Sequence, residues 1–252
     1  YDRIRRSGFA KTNIEGEITL NEWSIECRRL SKCYGHTTAL RELTFGLPRG
    51  KVIGLLGPNG SGKTTLMKIL GGVLRQSSGE VLIEGEAPGI ATKRIVSYLP
   101  ERSYFSNWMR VCDCIDYFSD FYEDFDRARA LSLLEMLSVP CNAKLKTLSK
   151  GTKEKVQIVL VMARRARLYL LDEPLAGVDP AARNQILDLI IKNGNPEATV
   201  LLSTHLICDI EQILNEFLFL SQGAIVRYDT VQNVRQNEEK SLNALFLEVF
   251  GC

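Results

Sequence analysis

VIGLLGPNGSGKTTLMKILGGVL, residues 52–74, joins a short apolar run to a glycine-rich octet and then to an apolar pattern of longer period. The first part, VIGLLG, reads as a buried strand. In the last part Leu66, Ile69, Leu70 and Val73 recur at helical spacing, which predicts one apolar helix face. Between them GPNGSGKT, residues 57–64, fits the pattern of a glycine, four free positions, then Gly-Lys-Thr. Glycines let the backbone curl until successive N–H groups face phosphate oxygens, and the helix N-terminus adds its dipole. Gly57, Pro58, Asn59, Gly60, Ser61 and Gly62 would form that cradle, with Thr65 just inside the helix. Lys63 would neutralise the outer phosphates, and the Thr64 hydroxyl would coordinate Mg²⁺. A chance glycine-rich turn is the bland alternative, and the strand before and helix after count against it.

Working outward, SIECRRL, ALRELTFGL, EVLIEG and IVSYL read as further strands, so strand and helix alternate in an α/β core. LYLLDE, residues 168–173, is an apolar strand that delivers two acids at its C-terminal end, where ligands bind in open α/β sheets. Asp172 suits the Mg²⁺ shell. Glu173 suits a general base for an attacking water. Beyond it the pattern predicts a helix in DPAARNQILDLIIK, a strand in TVLLSTH, a helix in ICDIEQIL and a terminal hairpin from FLFLS and AIVRYD. Residues 229–252 read as a helix followed by an apolar tail, LFLEVF, left between a regulatory and a structural role.

The middle, about residues 104–147, is helical by pattern. Phe118, Phe121, Tyr122 and Phe125 fall at i, i+3, i+4 and i+7, which predicts a buried stripe on one helix. Tyr104, Phe105 and Trp108 precede it in a loop with polar spacers, a better place for a partner contact. His36 has no motif around it and reads as surface.

A net charge of +2 over 252 residues gives no electrostatic case for nucleic acid or an anionic membrane as a bulk partner. The longest apolar run, IVLVMA, is closed by Arg164 and Arg165, far short of a bilayer span. The N-terminus has no apolar leader pattern, so no signal peptide is expected. Seven scattered cysteines, with Cys112 and Cys114 wrongly spaced for zinc, read as reduced thiols in a cytosolic protein.

One stretch gathers the rest. LSKGTKEKV, residues 148–156, places Ser149 and Gly151 at the mouth of a helix, aiming N–H groups and a hydroxyl at something negative. With LSKG just before LYLLDE, the chain resembles the nucleotide-binding domain of ATP-binding cassette (ABC) proteins over about residues 24–228. The resemblance implies a P-loop NTPase fold: a mixed sheet flanked by helices, an N-terminal antiparallel β subdomain and an inserted helical subdomain at about 104–164. It implies a domain over 23–228, a tail at 1–22 and an extension at 229–252. GPNGSGKT matches Walker A, LYLLDE Walker B, LSKGT the signature, AGVD the D-loop and YLPE the Q-loop.

Residue by residue, the resemblance implies that Tyr34 stacks on adenine, though it also reads as an ordinary strand-end tyrosine. Ser149 and Gly151 would complete a γ-phosphate site in a second cassette, and His205 would contact the γ-phosphate. Asp179 would serve the D-loop, and as Asp before Pro180 it also reads as a helix N-cap. Three features depart from the pattern, one of them Thr152 in place of the signature's polar end residue. Glu101 stands where the family has glutamine; it can reach Mg²⁺ or the water but cannot donate an amide hydrogen bond. Lys150 replaces a signature glycine, and either strengthens the trans site or sits in solvent. YLPE with LSKG is similar to cassettes of ABC-2-type exporters.

The implied function is an ATP-hydrolysing subunit using ATP and Mg²⁺, dimerising head to tail with an identical or different cassette. It would drive a separate transmembrane permease from the inner face of the membrane, with no direct nucleic-acid partner. The alternatives are a soluble ABC ATPase and a nucleotide-dependent regulator. One cassette, no heptad run and little net charge count against the first of these; Glu173 and His205 count against the second.

Overall fold

The structure, a computed structural model, describes residues 23–101, 104–192 and 197–251; the tail expected at 1–22 lies outside the described residues. Five buried runs become parallel strands because both of their faces are covered. β3 (Val52–Leu56), β5 (Val96–Leu99), β6 (Leu168–Asp172), β7 (Thr199–Thr204) and β8 (Glu216–Ser221) lie in the order β5-β6-β7-β3-β8. β9 (Ala224–Thr230) closes this sheet antiparallel to β8. A second sheet is antiparallel, in the order β2-β1-β4, from β1 (Trp23–Tyr34), β2 (Thr37–Pro48) and β4 (Ser78–Ile83). The mixed α/β class and the antiparallel N-terminal sheet are as the sequence led one to expect.

Strand side chains alternate between faces, and here the alternation separates two cores. Ile53, Leu55, Leu168, Leu170, Leu201, Leu218 and Leu220 face one way, onto the antiparallel sheet and helix α1 (Lys63–Leu70). Leu56, Tyr169, Leu171, Val200, Leu202, Phe217 and Phe219 face the other way, onto the remaining helices. A one-residue slip in any of these strands would swap its two sets of side chains. Register at the ends of β3, β6 and β7 is therefore fixed from both sides.

The second core is covered by α3 (Val111–Phe121), α4 (Arg127–Met136), α5 (Lys150–Met162), α6 (Pro180–Lys192), α7 (Ile207–Ile210), α8 (Val231–Asn237) and α9 (Leu242–Phe250). A six-residue helix, α2 (Ile90–Ile95), leads into β5. α5 earns its buried position with an unbroken apolar run, Ile158 to Met162, and begins at the Ser149 cap.

Four expectations are corrected. Helix α1 stops at Leu70, because Gly71 and Gly72 follow and Gly72 turns left-handed at φ 65°; Val73 is therefore 65% exposed rather than part of the apolar face. The aromatic stripe is broken after Phe121, since Tyr122 is extended. Its ring lies 3.9 Å from the Arg164 guanidinium, whose Nε donates to Asp124 at 2.9 Å. Phe118 is buried, Tyr122 and Phe125 lean on the core, and Phe121 points outward beside Tyr117. ICDIEQIL gives only the short α7 and a 3-10 turn at Glu211–Ile213, while the apolar tail LFLEVF is itself the body of α9.

Candidate nucleotide site

Strands β6, β7 and β3 are neighbours, so the loops leaving their C-terminal ends emerge side by side. Asp172 pairs in register with Ser203, and Leu56 with Thr204. Adjacent pairing alone brings residues 57–64, 172–173 and 203–205 into one crevice.

The glycine-rich loop fits only without side chains at two of its positions. A Cβ at Gly57 would sit 2.1 Å from the Leu220 carbonyl oxygen. One at Gly62, already at φ 110°, would sit 2.7 Å from the Ala39 oxygen. The loop curls round the buried Lys63, whose Nζ donates to the carbonyls of Gly57 at 2.7 Å and Pro58 at 3.1 Å. Burial lowers the Lys63 pKa below its usual value, opposed by the carboxylates of Glu173, Asp172 and Glu101. Pro58, Asn59 and Gly60 are exposed at the rim, and Ser61 is buried with an unpartnered hydroxyl.

Asp172 is 1% exposed. Its Oδ1 accepts from the Ser203 hydroxyl at 2.6 Å and the Thr64 hydroxyl at 3.3 Å, whereas Oδ2 is buried without a partner. Burial raises its pKa, with the two hydroxyls pulling it back. An orphaned carboxylate oxygen beside a threonine hydroxyl is what a hard, oxygen-loving cation would satisfy. Among the described residues there is no cluster of three or more His, Cys, Asp or Glu able to hold a metal. The cation would therefore share its shell with phosphate oxygens and water, the habit of Mg²⁺. These residues fit Mg²⁺.

Glu173 is a non-glycine residue at φ 52°, a conformation that costs on the order of 1–3 kcal/mol and persists only where its surroundings enforce it. Here the enforcement is Ser203: the Glu173 N–H donates to its carbonyl at 3.0 Å and its hydroxyl at 3.1 Å. The turn aims the Glu173 carboxylate at His205, with Oε2 3.0 Å from Nδ1. Ser203 thus supports both acids, and the motif reading missed it. The available signal was a serine next to last in the apolar strand TVLLST.

The other expected residues lie further out. Tyr34 is 48% exposed at the end of β1, with Lys32 Nζ 5.1 Å from its ring centroid. Thr65 is half-buried in α1. Glu101 is exposed, two residues past β5, and is felt electrostatically at both Lys63 and Asp172. Ser149 caps α5, accepting from the Thr152 N–H at 3.1 Å, and both it and Lys150 are exposed. A Cβ at Gly151 would lie 3.1 Å from the Gly177 oxygen, so the signature helix starts against the AGVD turn of its own chain. Asp179 caps α6, accepting from the Ala182 N–H at 3.0 Å. His36 is exposed.

Residues 40–176 match the family described as ABC transporter. The chain belongs to the ABC transporter family. It is one of that family's ATPase cassettes. It is 32% identical over 209 residues to an uncharacterized ABC transporter ATP-binding protein of Synechocystis, a match covering 80% of this chain and 59% of that one. The lantibiotic transport ATP-binding protein SrtF of Streptococcus pyogenes is 28% identical, covering 84% of this cassette and 94% of SrtF. A solved ATP-binding subunit of an ABC transporter superposes with a TM-score of 0.81 at 28% identity, covering 89% of the cassette and 98% of that structure.

A second surface of the cassette lies in the loop before α3. Trp108 is 72% exposed and Tyr104 52%, while Phe105 tucks inward with its centroid 6.0 Å from Phe118. Next to it Phe105, Asn107, Leu145, Lys153, Val156 and Gln157 line a cavity of about 240 Å³. No helix among the described residues is long and apolar enough to cross a membrane. The six described cysteines are free; Cys252 lies outside the described residues.

Proposed function

We propose that this cassette binds and hydrolyses ATP as the motor subunit of a membrane exporter, paired head to tail with a second cassette and driving a separate permease. The observation that carries the reading is the Ser203-supported pair of acids, one orphaned and beside Thr64, the other turned onto His205. The Streptococcus relative, a lantibiotic transport ATP-binding protein, supports a transport role, and the helix start at Ser149, exposed and capped, supports a partner cassette.

In this reading the loop of residues 57–64 binds the phosphates through N–H groups and Lys63, and Tyr34 offers its face to the base. Thr64 and Asp172 would hold Mg²⁺, with Glu101 within electrostatic reach, and the cation would supply charge neutralisation at the phosphates. Glu173 accepts the proton of the attacking water. His205 orients Glu173 and meets the terminal phosphate. Ser149, Gly151 and Asp179 serve the partner's site. The helical stretch of about 104–164 acts as an inserted subdomain that passes closure to the permease through the loop of Tyr104 and Trp108. The cassette would then work at the inner face of the membrane.

The test is Mg²⁺-dependent ATPase of the purified cassette beside Glu173→Gln. Loss of at least about a hundredfold in turnover with ATP still bound is expected for a general base. Unchanged turnover would remove Glu173 from that role. Trp108→Ala should weaken co-purification with any permease that the unsubstituted cassette captures, and undiminished capture would remove the docking loop.

A further inference from the structure

Two elements that the head-to-tail reading gives to the partner's site, the start of α5 and the AGVD turn, lie against each other in this chain. Gly177 stands at φ 76°, and the space above its Cα is filled from α5: a Cβ there would lie 2.8 Å from Lys150 Cε and 2.9 Å from Glu154 Oε1. On the other side of the turn stands Arg183, in the first turn of α6. Its Nε donates to the Val178 carbonyl at 3.3 Å, and the same guanidinium donates through Nη1 to Asp209 Oδ2 at 2.7 Å. Asp209 lies in α7, four residues after His205. One planar group therefore grips the backbone of the turn and the helix that follows the histidine at once, a geometry a guanidinium offers and an ammonium does not.

We propose that Arg183 is a positioning residue that couples the His205 segment to the trans-acting surface of the same subunit. When His205 settles onto a phosphate, α7 is drawn with it. Asp209 carries that displacement to Arg183, Arg183 to the Val178 carbonyl, and the turn to the start of α5 through Gly151 and the Lys150–Glu154 side chains. Filling a subunit's own site would thus set the surface it offers to its neighbour. Neither Arg183 nor Asp209 touches nucleotide in this scheme, and the half-buried setting of both, 25% and 35% exposed, keeps the ion pair from being fully screened.

The inference rests on the head-to-tail reading, and the experiment separates the two. In a Glu173→Gln parent, Mg-ATP-driven dimerisation is followed by analytical ultracentrifugation, and single-subunit affinity by a fluorescent ATP analogue. Asp209→Ala should raise the concentration for half-dimerisation about tenfold, a typical coupling within one network. Affinity of the single subunit should stay within about twofold, the scatter expected of an uncoupled site. In an Arg183→Ala background the Asp209→Ala effect should vanish, since its route is gone. If Arg183→Ala does not fold, Arg183→Lys completes the same cycle. A dimerising parent with an indifferent Asp209→Ala, or an Asp209→Ala effect that persists without Arg183, overturns the link alone. A parent that stays monomeric overturns the head-to-tail reading and the link with it.

Discussion

The cassette contains two helix starts suited to anions, and they are built in opposite ways. α1 begins with no side-chain cap, behind glycines at φ 79° and 110°, around a buried lysine that is hydrogen-bonded back to its own loop. α5 begins with an ordinary serine cap and exposed side chains, with the AGVD turn against its Gly151. The first is organised by burial within one subunit, so its strain is fixed before any ligand arrives. The second is a finished surface lacking a counterpart. Substitutions at the first should therefore act on a single subunit, and those at the second only on the pair.

The largest expected effect is at the first start. Gly62→Ala must place a Cβ 2.7 Å from the Ala39 oxygen at a left-handed φ. The combined strain is on the order of 2–4 kcal/mol. Nucleotide binding by the isolated subunit should be lost in titration calorimetry, together with a lowered melting temperature. A variant that binds ATP normally would mean the loop is not preset.

Asp172 gives the next effect, and its sign is informative. Burial raises its pKa above the unfolded value of 3.8. A carboxyl raised in this way burdens the nucleotide-free fold once ionised, a burden absent below the unfolded pKa and growing as pH rises through the folded one. Asp172→Asn should therefore raise the melting temperature at neutral pH, with the gain shrinking towards pH 4. Mg²⁺-stimulated turnover should fall by about a hundredfold or more, as removal of a key electrostatic contact does. A neutral-pH destabilisation would show that the Thr64 and Ser203 hydroxyls, not burial, dominate there.

How far the sequence discloses all this follows the same division. Walker A, Walker B and the strands around them are legible because each is a local pattern whose geometry is set by neighbours in sequence. The left-handed Glu173 is not, since it depends on Ser203, thirty residues on. Nor is the end of the aromatic stripe at Phe121, where Arg164 reaches back to the ring of Tyr122 and to Asp124. Helical spacing continues on paper through a break made by a distant guanidinium. The order of motifs made α5 recognisable, but its packing against Gly177 required the fold.

At the second start, Ser149→Ala removes the acceptor for the Thr152 N–H. A lost N-cap costs about 1 kcal/mol. ATP affinity of the single subunit should not change, while dimerisation and turnover of the pair should fall several-fold by equilibrium centrifugation and ATPase. An equal loss in the monomer's affinity would erase the distinction between the two helix starts.

The smallest effect separates the two roles open to Lys150. Its amine is 3.9 Å from Glu154 Oε1 with the side chain 77% exposed, so that ion pair contributes little. Its stem, however, lies over Gly177. If the charge matters to the partner's phosphate, Lys150→Gly and Lys150→Gln should weaken dimerisation alike, and more at low salt than at high. If the stem matters, Lys150→Gln should keep most of the function and only Lys150→Gly should lose it, by the roughly 0.5–1 kcal/mol that a glycine costs a helix. The packing favours the stem. A salt-dependent loss in Lys150→Gln would instead give the role to the ammonium, and would make the second start an electrostatic site like the first.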